Sequence, residues 1–422
     1  MDANVIVILV SLALFLAYVS GILYTHTGVP DTVWLVGFGA LFGPVMNLFN
    51  AELLRPMAPI LVLMALNLLM FEAGMSLDLK TFKEAMRKSS ALAVCTLILT
   101  TASVGYLLHY ALPQYFNYTQ ALLFGAMIGG TSTSTVLGIL GSMQRFSSSI
   151  GGTRRFLVLE SIVSDSLCIV TAMTLMRIIQ APSIPLNDGI KDMVFVFTVS
   201  VFTGFLCGVL WVQILDLVRN RPFNYIMTIA ALFVAYIVSE EVGGPGAGSI
   251  AALTFGITLT NYPLLAKRFR LREHVRVEMR RLRSFHEEIT FLVKSFLFLF
   301  VGLEITLNPE YLFLGLGVTA LVGLTRALSV HITDALVDMS DLEVSASRLI
   351  FSNGLTALVI SQLPLVIETP YMFFPDPKIY VDLAVPIVVA TSVFGSLFGP
   401  LLLGGKAAPE AKPEPAAGQQ VS

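Results

Sequence analysis

Charged residues are scarce in this sequence. Only 13% of its 422 residues are Asp, Glu, Lys or Arg, whereas 55% are hydrophobic, and a soluble domain carries about a quarter charged residues. The mean hydropathy is +0.80, and apolar runs long enough to cross a bilayer recur from end to end. This composition excludes a soluble globular protein and indicates a polytopic, all-α membrane protein. The net charge of -2 carries little information because the charges are confined to loops.

Cysteine and histidine are also rare. The three cysteines, Cys95, Cys168 and Cys207, lie in apolar runs, so we expect small core residues and no disulfide framework. No histidine accompanies an intramembrane Ser or Asp in the arrangement that a hydrolase needs. No cluster of His and Cys in the sequence suggests a transition-metal site. We therefore expect neither an enzyme, nor a bound cofactor, nor a nucleic-acid partner.

The apolar runs predict about thirteen transmembrane spans, which allow two inverted six-span repeats joined by the seventh span. The first run lacks a basic region and a cleavage site, so we expect a retained span and no signal peptide. The Pro/Ala-rich segment 404–422 is expected to be a disordered cytoplasmic tail. The predicted spans lie near residues 4–24, 29–48, 58–77, 89–112, 119–143, 150–179, 192–217, 223–239, 246–260, 289–307, 311–335, 343–368 and 379–403.

The lysines and arginines predict the orientation of the spans. Most of them follow odd-numbered spans, as in KTFKEAMRKSS (80–90) and KRFRLREHVRVEMRRLR (267–283). The positive-inside rule then places the N-terminus outside and the C-terminus in the cytoplasm. Segment 267–283 is expected to form a basic helix along the cytoplasmic surface, in contact with anionic membrane lipid. Because no organelle-targeting signal is recognised, we expect a prokaryotic plasma membrane.

Two pairs of segments echo each other in the two halves. FEAGMSLDL (71–79) ends the third span, and LFVGLEITL (299–307) ends the tenth. Five hydroxyl residues, TSTST (131–135), interrupt the fifth span, and FSNGLTALVI (351–360) is the polar counterpart in the twelfth. Interrupted spans in corresponding positions are typical of an inverted-repeat transporter with its binding site between them.

The TSTST segment follows two glycines that permit a helix to break. In a break that faces protein or water, the hydroxyls can bond freed backbone groups or coordinate a cation. The alternative is that they bond back to the preceding turn and only bend or pack a helix. The residues expected to shape the two interruptions are Gly129, Gly130, Thr133, Asn353 and Gly354.

The sixth span carries two acids, Glu160 and Asp165, near the middle of the bilayer. A carboxylate there is unfavourable by about 3 kcal/mol even on lenient insertion scales, so each acid needs a partner or a function. Asp165 is expected to have a functional role, and Ser161 lies one turn earlier on the same helix face. Glu72 of the third span is a further intramembrane acid, which either feeds this site or neutralises a neighbour.

Several motifs occur in order over nearly the whole chain. They are GAMIGGTSTSTVLGIL, LVLESIVSDSL, GPGAGSIAALTFGITLTN, EEITFLVKSFLFLFVGLEI, LTRALSV and NGLTALVISQLP. Together they resemble the monovalent cation/proton antiporter superfamily, and most closely its sodium/proton exchanger (NhaP-like) branch.

This resemblance implies a homodimeric secondary transporter in which two interrupted helices cross beside an ion-binding carboxylate, here Asp165. It also implies how a transmembrane domain of residues 1–403 is divided. Dimerisation spans are expected near 1–77 and 223–307, and ion-binding core spans near 89–179 and 311–403.

Four positions depart from the pattern of that branch. Ser164 stands where Asn usually precedes the ion-binding Asp, and Ser132 replaces the Asp of the fifth span. In the twelfth span, Ser352 and Asn353 replace the usual Pro and Arg. These changes remove an acid and a base from the site, so they bear on cation selectivity and pH dependence more than on transport class.

The resemblance and the mid-membrane acid predict exchange of a monovalent cation, Na⁺ or K⁺, for a proton. One buried carboxylate holds either species but not both, so electroneutral exchange is expected. The metal-ion ligands are expected to be Asp165, Thr131 and Ser161, with Ser164 and Ser132 as further neutral oxygens for a hard cation. A sodium-coupled solute symporter and a channel-like or sensory membrane module remain alternatives.

Arg326 lies near the middle of the eleventh span, where a lone guanidinium is as unfavourable as a lone carboxylate. A guanidinium matches a carboxylate bidentately, and the resemblance places an arginine opposite the acid that precedes the ion-binding Asp by five residues. We therefore expect a structural ion pair between Glu160 and Arg326. Lys294 is the rival partner, but it lies near a span end and is expected to extend toward the cytoplasm.

Overall fold

The computed structural model describes residues 3–49, 55–82, 85–143, 150–180, 186–218, 223–270, 279–367 and 373–404. Every regular element in these ranges is helical, and none of the residues described is in a strand. The α-helices are α1 (Ala3–Thr27), α2 (Asp31–Ala40), α3 (Ala58–Ser76), α4 (Leu79–Phe82), α5 (Met86–Ala111), α6 (Tyr118–Met127), α7 (Thr133–Met143), α8 (Ile150–Gln180), α9 (Leu186–Val218), α10 (Asn224–Gly243), α11 (Ala247–Phe269), α12 (Met279–Glu304), α13 (Pro309–Val337), α14 (Asp341–Leu349), α15 (Leu355–Ser361), α16 (Leu363–Ile367) and α17 (Ile379–Gly404).

Nine helical stretches within the described ranges are long and apolar enough to cross a membrane. Four other predicted spans take a different form. The second, α2, is short and continues in a π-helical turn, Leu41–Val45. The tenth, α12, begins with several charged side chains, and the fifth and twelfth are broken. The count of thirteen and the inverted repeat therefore stay predictions, whereas the all-helical membrane fold is confirmed.

The helices pack in two groups. The first, here called the frame, contains α1–α3 and α9–α12, and the second, the crossing bundle, contains α5–α8 and α13–α17. The frame is packed so closely that a methyl group on Gly39 of α2 would lie 2.8 Å from the Cα atom of Gly302 in α12. Such close packing of backbones through small residues is typical of membrane helices.

Both predicted interruptions are present in the crossing bundle. Residues 128–132 separate α6 from α7, and residues 350–354 separate α14 from α15. Helix α6 begins with a capping box of Asn117 and Gln120, and α14 begins with one of Ser340 and Glu343. Each broken span therefore starts with its first amide groups already bonded, and its irregular residues lie deeper in the fold.

One expectation differs from the structure. The ends of segment 267–283 continue α11 and α12, so they do not form a separate surface helix, and residues 271–278 lie outside the described ranges. In α12, His286 is 1% exposed because its ring packs against Phe71 of α3. The predicted tail, 404–422, lies almost entirely outside the described residues.

Candidate functional site

The two interruptions meet and are bonded to each other. The backbone amide of Ser132 donates to the carbonyl of Ser352 at 2.7 Å. The side-chain amide of Asn353 donates to the carbonyl of Ile128 and to that of Gly130 at 3.1 Å. Because a buried backbone group without a partner is costly in a membrane, these bonds stabilise the break in each span.

The neutral residues at the crossing act as helix caps. The hydroxyl of Ser132 accepts a hydrogen bond from the amide of Thr135 at 3.4 Å, which is the bond of an N-cap residue. Asn353 supplies N–H groups to carbonyls at the C-terminal end of α6, where the helix dipole is negative. Ser132 and Asn353 therefore form hydrogen bonds with the backbone groups at these helix ends without carrying a net charge. At the same two positions, the branch that the sequence resembles usually has Asp and Arg.

A third element, α17, holds the second interruption in place. The hydroxyl of Ser352 donates to the carbonyl of Thr391 at 2.9 Å, and the amide of Asn353 donates to the Thr391 hydroxyl at 3.1 Å. Gly354 leaves room for Ser132, because a methyl group there would lie 2.9 Å from the Ser132 Cβ atom. The irregular backbone is thus enclosed by protein on several sides.

Glu160 and Arg326 form a fully buried ion pair. The guanidinium donates to the two carboxylate oxygens at 2.8 and 3.2 Å, and the two side chains are 0% and 1% exposed. Arg326 also donates to the Thr96 hydroxyl at 3.1 Å and to the carbonyl of Ser347 at 2.9 Å. The expected contact is present, and Lys294 is not the partner of Glu160.

Asp165 lies at the crossing, against the first interruption. A methyl group on Gly130 would be 3.1 Å from its Oδ1 atom, so glycine allows the backbone to approach the carboxylate. The side chain of Thr356, in the first turn of α15, forms a hydrogen bond with it. Asp165 is half-buried because it lines a cavity of about 190 Å³.

This cavity lies between the frame and the crossing bundle. The bundle contributes Asp165 and three hydroxyl residues, Ser132, Thr133 and Thr356. The frame contributes polar residues from α3 and α12, namely Glu72, Ser76 and Lys294. The remaining lining is apolar, from Leu69, Met70, Ala73, Leu137, Ile162 and Leu355. Carboxylate and hydroxyl oxygens suit a hard cation.

The other predicted ligands make contacts beside the cavity and do not line it. Thr131 donates from its hydroxyl to Glu160 at 3.3 Å and from its amide to the Ser164 hydroxyl at 3.1 Å. The hydroxyl of Ser161 lies 2.8 Å from that of Thr133. Their role as ion ligands stays a prediction.

Two residues near the site were not predicted. Thr356 contacts Asp165, and the only sequence signal was a hydroxyl just after the NG pair of the twelfth span. Lys294 lines the cavity, and its ammonium binds the carboxylate of Asp31 in α2 at 3.0 Å. No sequence signal connects those two residues.

Known proteins share this sequence pattern and this fold. The Na⁺/H⁺ antiporter NhaG of Bacillus atrophaeus is 24% identical over 387 residues, which cover 86% of this chain and 68% of NhaG. The K⁺/H⁺ antiporter NhaP2 of Shewanella sp. (strain ANA-3) is 25% identical over 203 residues, 47% of this chain and 34% of NhaP2. The chain spans from 26% to 68% of the length of the first curated relatives that it matches.

The chain is also similar to a solved structure and to a known protein family. The sodium/proton antiporter MjNhaP1 of Methanocaldococcus jannaschii superposes with a TM-score of 0.81 at 16% identity, covering 97% of this chain and 100% of that one. This similarity shows the fold. The family described as "Sodium/hydrogen exchanger, transmembrane" matches residues 10–404. The chain therefore belongs to the sodium/hydrogen exchanger family.

Proposed function

We propose that this protein is a secondary active antiporter that exchanges Na⁺ or K⁺ for H⁺. The observation that carries the proposal is the position of Asp165. Its carboxylate lies where two interrupted helices cross, in a cavity that both helix groups line. The names of the matched relatives include both Na⁺/H⁺ and K⁺/H⁺ antiporters, so both cations are candidates.

The proposed cycle follows from charge neutralisation at Asp165. A carboxylate away from water is strongly unfavourable unless a proton or a cation neutralises it. The two species therefore compete for the same oxygens, and the hydroxyls of Ser132, Thr133 and Thr356 partly replace the water around a cation. Glu72 offers a second carboxylate on the frame wall.

Alternating access requires that the cavity open to each side in turn. Because frame and crossing bundle face each other across the cavity, movement of one group against the other would carry Asp165 between the two sides. We propose that the frame supplies the homodimer contacts, that the bundle moves, and that the N-terminus is outside a prokaryotic plasma membrane.

The direct test is cation-dependent proton movement in proteoliposomes. With the protein reconstituted and the lumen made acidic, external Na⁺ or K⁺ should raise the luminal pH in proportion to the cation that enters, because each entering cation is exchanged for a luminal proton. A channel would carry cation without stoichiometric proton movement, and a symporter would need an added organic solute. Either of those results would contradict the proposal.

Exchange is expected to be electroneutral, with one cation for one proton. The position before Asp165 is Ser164, whose hydroxyl donates to the carbonyl of Ser161 at 3.0 Å, so this position adds no second titrating acid. Clamping the membrane potential at values of either sign should leave the initial rate unchanged. A rate that followed the potential would require a second proton carrier, with Glu72 the first suspect.

Thr356→Val is expected to raise the apparent KM for the cation about tenfold. The change keeps the shape of the side chain but removes a hydrogen bond to a charged group, which is typically worth about 1.5–3 kcal/mol. The matched control is Thr135→Val, because the buried hydroxyl of Thr135 has no hydrogen-bond partner among the described residues. Initial rates against cation concentration would measure both. An equal KM in the two variants would remove Thr356 from the ion site.

A further inference from the structure

Lys294 brings a positively charged ammonium into the cavity that also holds the carboxylates of Glu72 and Asp165. Its side chain and those of Glu72 and Asp165 line one space of about 190 Å³, and its charge acts on the Glu72 carboxylate. An ammonium on a four-carbon stem can take several positions. Its location therefore decides how much negative charge the cavity offers to a cation.

Asp31 fixes where that ammonium lies. The Asp31 Oδ2 atom is 3.0 Å from the Lys294 Nζ atom, and the two side chains are 17% and 20% exposed. The Oδ1 atom accepts a hydrogen bond from the backbone amide of Thr32 at 3.0 Å. Asp31 is also the first residue of α2, where the helix dipole favours an anion. The carboxylate is therefore held in place before it binds the ammonium.

The pair is built into the frame and not into the crossing bundle. Asp31 belongs to α2 and Lys294 to α12, and these two helices are in close contact at Gly39 and Gly302. A movement between frame and bundle would leave the pair intact. The charge of Lys294 thus stays on one wall of the cavity while Asp165 belongs to the other.

We infer that Asp31 is a positioning residue, which holds the Lys294 ammonium away from Glu72 and thereby sets the cation affinity of the cavity. This inference rests on the proposed function and adds a determinant of affinity to it. Without Asp31, the ammonium would be free to turn to Glu72, a carboxylate that lines the same cavity, and a transported cation would then compete with the ammonium of Lys294 for it. Glu287 and Arg283 of α12 also act on Glu72, with opposite signs, so neither replaces Asp31.

The expected results are changes in KM that cancel in a double variant. Asp31→Asn should raise the apparent KM for Na⁺ or K⁺ about tenfold, with the maximal rate within about twofold of the unmodified protein. Lys294→Gln should lower the KM, because it leaves the negative charge of Asp31 uncompensated beside the cavity. The double variant removes both charges and should return the KM to near its original value.

A control ion pair lies outside the cavity. Lys88 binds Glu343 at 3.2 Å, and neither residue lines the cavity, so Lys88→Gln should leave the KM unchanged. An unchanged KM in Asp31→Asn, or a raised KM that persists in the double variant, would overturn the inference. If Asp31→Asn does not fold, Lys294→Gln decides alone, since a raised KM there would contradict it.

A binding assay separates this inference from the proposed function. Bound cation should raise the Tm of the detergent-solubilised protein, and Asp31→Asn should need about tenfold more cation for the same rise. If the unmodified protein binds Na⁺ or K⁺ but moves no protons, the proposed function fails while this comparison still tests Asp31. If exchange occurs and the two proteins respond equally, the inference alone fails.

Discussion

Replacing Asp165 with Asn is expected to reduce cation/proton exchange on the order of a hundredfold or more, because Asn holds neither a proton nor a cation at that position. The side chain keeps nearly its volume and its contact with Gly130, so folding should be little affected. Exchange would be measured as cation-dependent pH change in proteoliposomes, and folding by size-exclusion chromatography in detergent.

Asp338→Asn is the matched control for this change. Asp338 is exposed and has a φ of 51°, a left-handed conformation in which Asn is also well tolerated. The control should exchange at close to the unmodified rate. If Asp165→Asn exchanged as fast as the control, Asp165 would not be the ion-binding carboxylate, and the proposed competition between proton and cation would be wrong.

Glu160→Gln and Arg326→Gln are each expected to lower the free energy of unfolding by about 3–5 kcal/mol. Each change leaves the opposite charge buried without its partner, in a pair that is 0% and 1% exposed. The double variant has no uncompensated charge and should recover part of the loss. Tm and the yield of folded protein would be compared for the three variants.

Lys88→Gln serves as the reference for an ion pair of lower burial. Its side chain is 32% exposed and that of Glu343 is 13% exposed, so its loss should change stability by no more than about 1 kcal/mol. A double variant of Glu160 and Arg326 that is no more stable than the worse single variant would show that the two charges do not compensate each other.

The sequence could predict those parts of the fold in which a polar or charged group in the membrane interior has only a few possible partners. Five hydroxyls after Gly129 and Gly130 indicated a break, and the break is present between α6 and α7. Glu160 and Arg326 are deeply placed charges of opposite sign, and a membrane interior leaves each of them few partners. Depth and charge, together with the family resemblance, therefore predicted their contact.

The contacts around Asp165 could not be derived in the same way. Thr356 is one hydroxyl in an apolar run, and its approach to Asp165 depends on how α15 crosses α8. The hydroxyl of Thr131 was expected at the ion, but in the structure it donates to Glu160. Helix periodicity places a residue on a face of its own helix, whereas these contacts depend on the angles between several helices.

The bonds between the two interruptions have a consequence for motion. Three amides of the irregular segments, those of Thr131, Ser132 and Asn353, all donate hydrogen bonds to other elements. A segment whose backbone is hydrogen-bonded to neighbouring elements can unfold locally only when those elements also move. The two interruptions therefore do not act as hinges. Helices α6, α7, α15 and α17 should shift as one rigid block whenever Asp165 changes sides.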